Sequence, residues 1–184
     1  MEDNDIVELY WQRDEKAVSE TAAKYGNYLH SISYNILCNA EDAEECVNSA
    51  YNDAWNTIPP HRPSVLSTFL GKLIRRSSID MWRSRGAEKR GGGTVAVAID
   101  ELEECVSGND SVEDETERRE LQEKLNVFLK ELPKAERQVF MRRYWYMDSN
   151  KDIAERFSCS ETRIRSMLYR TRKKLRKMLE KEGY

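Results

Sequence analysis

Apolar residues recur at helical spacing along most of the chain, and strand-like alternation is nearly absent. From Asp5 onward, Ile6, Leu9, Tyr10 and Ala17, then Tyr25, Tyr28, Leu29, Ile32 and Ile36, predict two helices with a break near Arg13 to Glu15. Asn39, with Asp42 three residues on, predicts a capped third helix. Its stripe of Ala43, Cys46, Val47, Ala50, Tyr51, Ala54 and Trp55 ends at Pro59 and Pro60. After the loop PHRPSV, Ser64 is placed to cap a fourth helix carrying Leu66, Phe69, Leu70, Leu73, Ile74, Ile79 and Trp82.

Periodicity then lapses. Residues 86 to 117, GAEKRGGGTVAVAIDELEECVSGNDSVEDETE, hold three successive glycines followed by acidic residues, the mark of a linker and a domain boundary. Within it TVAVAI alternates weakly, either to dock on a neighbouring surface or as a short segment with no partner strand. A second helical unit starts near Arg118. Leu121, Leu125, Phe128 and Leu132 form one stripe, Pro133 marks the next helix start, and Val139, Phe140, Arg143, Tyr144 and Met147 continue the pattern. Ser149 with Asp152 reads as a capping box for a short helix through Ile153, Ala154 and Phe157. A turn, SCS, then leads into a long helix from Ser160.

Charge changes this picture from helical to nucleic-acid-facing. The whole chain has a formal net charge of -3, which argues against a polyanionic partner only if charge is spread evenly. It is not. Residues 1 to 60 hold 12 acids and 3 bases, residues 70 to 90 hold 2 acids and 7 bases, residues 100 to 123 hold 11 acids and 2 bases, and residues 132 to 184 hold 7 acids and 15 bases. Separated blocks of this kind create local positive fields that attract phosphate backbones, although a charge run can equally be a solvated face.

A short helix, a turn and a longer basic helix make the helix-turn-helix pattern, whose second helix enters the major groove. In the long helix Ile164, Leu168, Thr171 and Leu175 must face the unit's own core. Arg163, Arg165, Ser166, Tyr169, Arg170, Lys173, Lys174 and Lys177 occupy the other faces. Arg165, Ser166, Tyr169 and Arg170 cluster near the amino end, where base edges are read. Arg172, Lys173, Lys174, Arg176 and Lys177 lie further along and suit phosphates. In the fourth helix Lys72, Arg75, Arg76, Arg83 and Arg85 stand beside Phe69 and Trp82, a combination that suits single-stranded nucleic acid, though the spacing of the two aromatics favours the core.

Three stretches together resemble the extracytoplasmic-function (ECF) sigma factors of bacterial RNA polymerase. AEDAEECVNSAYNDAW is similar to their polymerase-binding helix, SVLSTFLGKLIRRSSIDMWR to their promoter-melting helix, and LPKAERQVFMRRYWYMDSNKDIAERFSCSETRIRSMLYRTRKKLR to their carboxy-terminal DNA-binding domain. The resemblance implies an all-α protein of two small domains, a sigma region 2 helical bundle over 1–88 and a sigma region 4 helix-turn-helix over 118–184, joined by a flexible acidic linker over 89–117. It implies core RNA polymerase (its clamp coiled coil and flap) and promoter DNA as partners, with an anti-sigma factor as a candidate third. By position, Asp42, Glu45, Asn48, Ser49 and Asp53 on the exposed face of the third helix would dock the clamp. His61, Arg62 and Pro63 would hold an extruded minus-ten base, with Lys72, Arg75, Arg76 and Arg83 along the melted strand. Arg163, Arg165, Ser166, Tyr169, Arg170, Lys173 and Lys174 would contact the minus-thirty-five duplex, and the linker would thread through the polymerase. The chain departs from the family at Asn48 and Ser49, where glutamine and glutamate are frequent, at Arg76, where asparagine is common, at Arg163 and Met167, where threonine and arginine are usual, and at Ser158. Serine in place of the turn glycine suggests a turn that needs no left-handed residue.

Other classes fit less well. A free-standing operator-binding dimer would be expected to carry a long heptad-patterned helix, and none is present. A metal-dependent nuclease would need carboxylates within a basic cleft, whereas the acids of 41 to 45 and 100 to 104 lie outside the basic blocks, and no glycine-rich phosphate loop occurs. No catalytic residue, cofactor, metal site or small-molecule substrate is therefore expected. Cys38, Cys46, Cys105 and Cys159 lie far apart with only His30 and His61 besides, so neither a zinc site nor a disulfide framework is indicated. With no signal peptide and no membrane span, a cytoplasmic location is expected.

Overall fold

The computed structural model describes residues 1–86, 97–98, 101–102, 105 and 115–182 of the 184 in the chain. The described residues form eight helices and no strand, divided between two compact units, Met1–Gly91 and Gly92–Tyr184.

The first unit holds α1 (Asp3–Trp11), α2 (Lys16–Leu37), α3 (Ala40–Thr57) and α4 (Leu66–Gly86). α2, α3 and α4 pack against one another and α1 lies on α2. The stripe of α3 buries Ala43, Cys46, Val47, Ala50 and Ala54, leaving Tyr51 and Trp55 half-buried. Its small side chains let the larger Leu29, Ile32, Leu70 and Ile74 of the flanking helices come close. Each such Leu or Ile contributes about 1.5–3 kcal/mol by leaving water. Polar atoms caught in this core are paired: Tyr10 Oη and Thr21 Oγ1 lie 2.9 Å apart, and Ser33 Oγ and Ser78 Oγ 2.8 Å. The break between α1 and α2 falls at 12–15, where Arg13 adopts φ 56° and Asp14 Oδ1 accepts the Lys16 N–H at 2.9 Å. Asn39 caps α3 by accepting the Asp42 N–H at 3.1 Å. For α4 the first turn closes on the Val65 carbonyl, which accepts the Phe69 N–H at 3.1 Å, so the cap position falls on Val65 and not on Ser64.

The second unit holds α5 (Glu115–Glu131), α6 (Lys134–Tyr144), α7 (Asn150–Arg156) and α8 (Glu161–Glu182). α6 and α7 pack on α8 around Val139, Phe140, Ile153, Ile164, Leu168 and Leu175. α5 begins three residues before the expected Arg118 and joins through Phe128, whose ring meets Phe140 edge-on at 6.4 Å. Ser149 caps α7 by accepting the Asp152 N–H at 3.1 Å, while its hydroxyl donates to the Asp152 carboxylate at 2.6 Å. The turn from α7 to α8 corrects the expectation for Ser158. Its φ is 50°, a left-handed residue. The Cys159 N–H reaches back to the Ala154 carbonyl (3.0 Å) and the Ser158 N–H to Glu155 (3.2 Å), the nested pair that closes a helix through a left-handed residue, so the turn keeps the geometry glycine favours without having one.

Most of residues 89–117 fall outside the described residues, but part of the tract is packed. Ala98 is fully buried and Cys105 nearly so, and the Glu101 carboxylate reaches residues of α6 and α8.

Candidate nucleic-acid interfaces

α8 separates two environments along its length. Ile164, Leu168, Thr171, Leu175 and Leu179 are buried, while Arg163, Arg165, Ser166, Tyr169, Arg170, Lys173, Lys174 and Lys177 are all exposed, as their positions on the helix require. Tyr169, with 60% of its surface in water, is the one aromatic among these exposed positions. Ion pairs distinguish the cations. Arg165 is bridged to Glu161 one turn earlier at 2.9 Å, Lys174 to Glu136 at 2.7 Å, and Arg176 to Glu180 at 2.9 Å. Lys173 and Lys177 pair with no described carboxylate.

Arg172 departs from the expected row of phosphate contacts. Its side chain is only 17% exposed, donating to Tyr144 Oη at 2.9 Å and lying 3.5 Å from Glu101. Beneath it the nearly inaccessible Arg143 donates from Nε to the same carboxylate at 3.3 Å and from Nη1 to the Asp148 carbonyl at 3.4 Å, while Tyr144 Oη donates to Glu101 at 2.9 Å. Burial, reinforced by Glu101, pushes the Tyr144 hydroxyl pKa well up even though Arg172 opposes it. For Arg172 burial pulls the other way, and its bond to Tyr144 and the charge of Glu101 outweigh it, so the guanidinium is held in its charged form. Reasoning from sequence missed this cluster. Its one signal was Arg143 within the apolar stripe of α6, since a cation at a core position requires a buried acceptor.

On α4, Lys72, Arg76 and Arg83 stand at i, i+4 and i+11 and share one exposed face, opposite the buried Leu66, Leu70, Ile74 and Ser78. Arg76 is 85% exposed and only loosely paired with Asp80 at 3.9 Å. Arg75 sits apart on the flank, half-buried beside Tyr28, where burial draws its pKa down. Arg85 is taken up by Asp42. The 61–63 loop precedes α4. His61 stacks on Phe69 with ring centres 5.4 Å apart, which gives the half-buried Phe69 a supporting role under the loop. Arg62 is tied to α1, bridging to Glu8 at 2.7 Å with its guanidinium 5.5 Å from the centre of the Trp11 ring.

Of the five residues assigned to the outer face of α3, Glu45, Asn48, Ser49 and Asp53 are exposed. Asp42 is a correction. It is buried in the first turn, its N–H held by Asn39 and its carboxylate by Arg85 from the end of α4, so it ties α3 to α4 instead of facing outward.

Among the described residues no group of His, Cys, Asp or Glu is arranged to hold a metal ion, and no helix is long and apolar enough to cross a membrane. Comparison with protein families matches residues 22–88 to Sigma-70 region 2 and residues 122–175 to Sigma-70, region 4. The first match spans most of α2 through α4, and the second spans α5 into α8. A comparison with curated proteins finds no match.

Proposed function

The chain belongs to the sigma-70 family as an ECF-like sigma factor of transcription initiation, and from that premise we propose that it binds core RNA polymerase and gives it promoter specificity through three surfaces. The first is the exposed face of α8. Arg165, Ser166, Tyr169 and Arg170 read base edges of the minus-thirty-five duplex, and Arg163, Lys173 and Lys174 hold its phosphates. The second is the face of α4 with the loop before it. Lys72, Arg76 and Arg83 follow the melted minus-ten strand, Arg75 lies at its edge, and His61 and Arg62 border the place of an extruded base. The third is Glu45, Asn48, Ser49 and Asp53 of α3, which meet the clamp coiled coil, while region 4 meets the flap. In this division 1–88 acts at the minus-ten element, 118–184 at the minus-thirty-five element, and 89–117 bridges them in the cytoplasm. The protein contributes positioning and no reaction of its own. An anti-sigma factor inserted between the domains is a candidate regulator.

The observation that carries this reading is the two-sidedness of α8, which buries one stripe in its own unit and leaves a continuous basic face with an exposed tyrosine. Run-off transcription with core polymerase on a randomised promoter library tests it. Enrichment of a shared pair of upstream elements is expected, dependent on the added protein. Start sites unchanged by the protein, with no association between it and core polymerase on gel filtration, would refute it.

A further inference from the structure

We infer that the segment around Glu101 is an intramolecular latch on α8, which competes with duplex DNA in the free protein and is displaced when duplex docks. The inference rests on the proposed role of α8. Its first support is position. Val97 and Glu101 line one groove with Arg165 and Tyr169, two of the proposed base readers, and with Asn150 at the start of α7. Glu101 and Cys105 line the next groove along the helix with Lys173 and Lys177. A duplex seated on Arg165 and Tyr169 with its phosphates along Lys173 and Lys177 runs beside both grooves, so the segment stands where a DNA backbone has to pass.

The second support is chemical. Glu101 presents a carboxylate to Arg172, a guanidinium that otherwise belongs to the phosphate-facing row, as a phosphate oxygen would. The tract is also acidic in sequence, with 11 acids against 2 bases over residues 100 to 123, a charge that opposes the approach of a duplex. Because the tract is covalently attached, it competes at a high effective concentration that DNA in free solution has to overcome. Its outer contact is the weak one: the Arg172–Glu101 pair is long at 3.5 Å and partly solvated. The bonds that Glu101 accepts from buried Arg143 and from Tyr144 hold the segment more firmly, and a duplex has to supply enough phosphate contacts to offset them.

Two substitutions open the latch by different routes. Glu101→Gln removes the charge but keeps an oxygen for Arg143 and Tyr144. Ala98→Gln forces a polar side chain into a fully buried position and leaves Glu101 unaltered. Full-length wild type and both variants are titrated against a short duplex pool of random sequence, read by fluorescence anisotropy. The alkylation rate of Cys105, buried at the end of the segment with its thiol toward the Arg172 carbonyl of α8, is followed by peptide mass spectrometry, with exposed Cys38 as the internal reference. Expected are roughly three- to tenfold tighter binding by both variants, a slope of log K against log salt steeper by up to about 0.9 as Arg172 is freed, and faster Cys105 alkylation in the variants and in wild type with duplex. Equal affinities, or a Cys105 that duplex leaves protected, overturn the latch while the role of α8 stands. Weaker binding by both variants with loss of helix identifies the segment as a buttress and also overturns it. If no protein binds duplex at all, the reading of α8 fails and the latch fails with it.

Discussion

Arg165 and Lys173 stand two turns apart on the exposed side of α8, and the roles proposed for them give their removal different consequences. Arg165 is spoken for in the free protein by Glu161, one turn back at 2.9 Å, with both side chains well exposed (66% and 41%). Surrendering such a pair costs about 0.3–0.5 kcal/mol, against about 1–3 kcal/mol of discrimination for an arginine bonded twice to guanine. The difference, about 0.5–2.5 kcal/mol, is a preference of about 2- to 70-fold at one base pair. Arg165→Ala should therefore flatten selection at one position of the upstream element and leave the others in their original order. Lys173 has no described carboxylate to surrender. Lys173→Ala should weaken every promoter alike and lower the slope of log K against log salt by about 0.9, so that its deficit shrinks about 3.5-fold between 50 and 200 mM salt. The assay is equilibrium competition of the polymerase holoenzyme on promoters randomised at the minus-thirty-five element, repeated at the two salt concentrations. If both variants lose the same base preference, or both lose only uniform affinity, the division of α8 into a reading end and a phosphate end is wrong.

Ser158→Gly should stabilise the protein by about 1 kcal/mol, seen as a higher urea midpoint, because glycine takes the left-handed φ of 50° without the clash a Cβ brings. Leu168→Ala, which empties a fully buried site where α6 and α7 meet α8, should cost about 2–5 kcal/mol in the same measurement and abolish duplex binding. The pH response of Asp3 has a definite sign. Burial raises its pKa, but the hydrogen bonds from Lys24 and Tyr25 outweigh that and leave it below the ordinary 3.8. The stability this confers is fully present above 3.8 and is lost as pH falls through the lower folded value. Asp3→Asn should therefore lower stability at neutral pH and make the acid limb of the unfolding curve shallower.

The helices, their order and the two-sided face of α8 were legible because each depends on residues within a turn or two of one another. Asn39 bonds to Asp42, Ser149 to Asp152, and Ile164 lines up with Leu168, Thr171 and Leu175, all within reach of a 3.6-residue period. The same locality explains why Ser158 misled. A left-handed turn residue is fixed by the nested bonds around it, and when serine stands there the usual glycine signal is missing. Arg143 at a stripe position foretold a buried acceptor without saying which.

The sequence by itself determined an all-helical chain with a basic segment at 70–90 and another at 132–184 on either side of an acidic tract, and placed the basic face of α8 opposite its apolar stripe. Only the tertiary structure decided how the cations on these faces are used. It turned Asp42 inward to Arg85, withdrew Arg75 beside Tyr28, tied Arg62 to Glu8, and brought Glu101 to Arg143 and Tyr144, more than forty positions further along the chain. Pairing between charges so far apart in sequence leaves no periodic trace, because it depends on which helices come to lie side by side, and many acids in a net-negative tract could have filled the same place. The fold selects one of them by burial, since a guanidinium taken out of water needs the carboxylate that its own packing brings within reach.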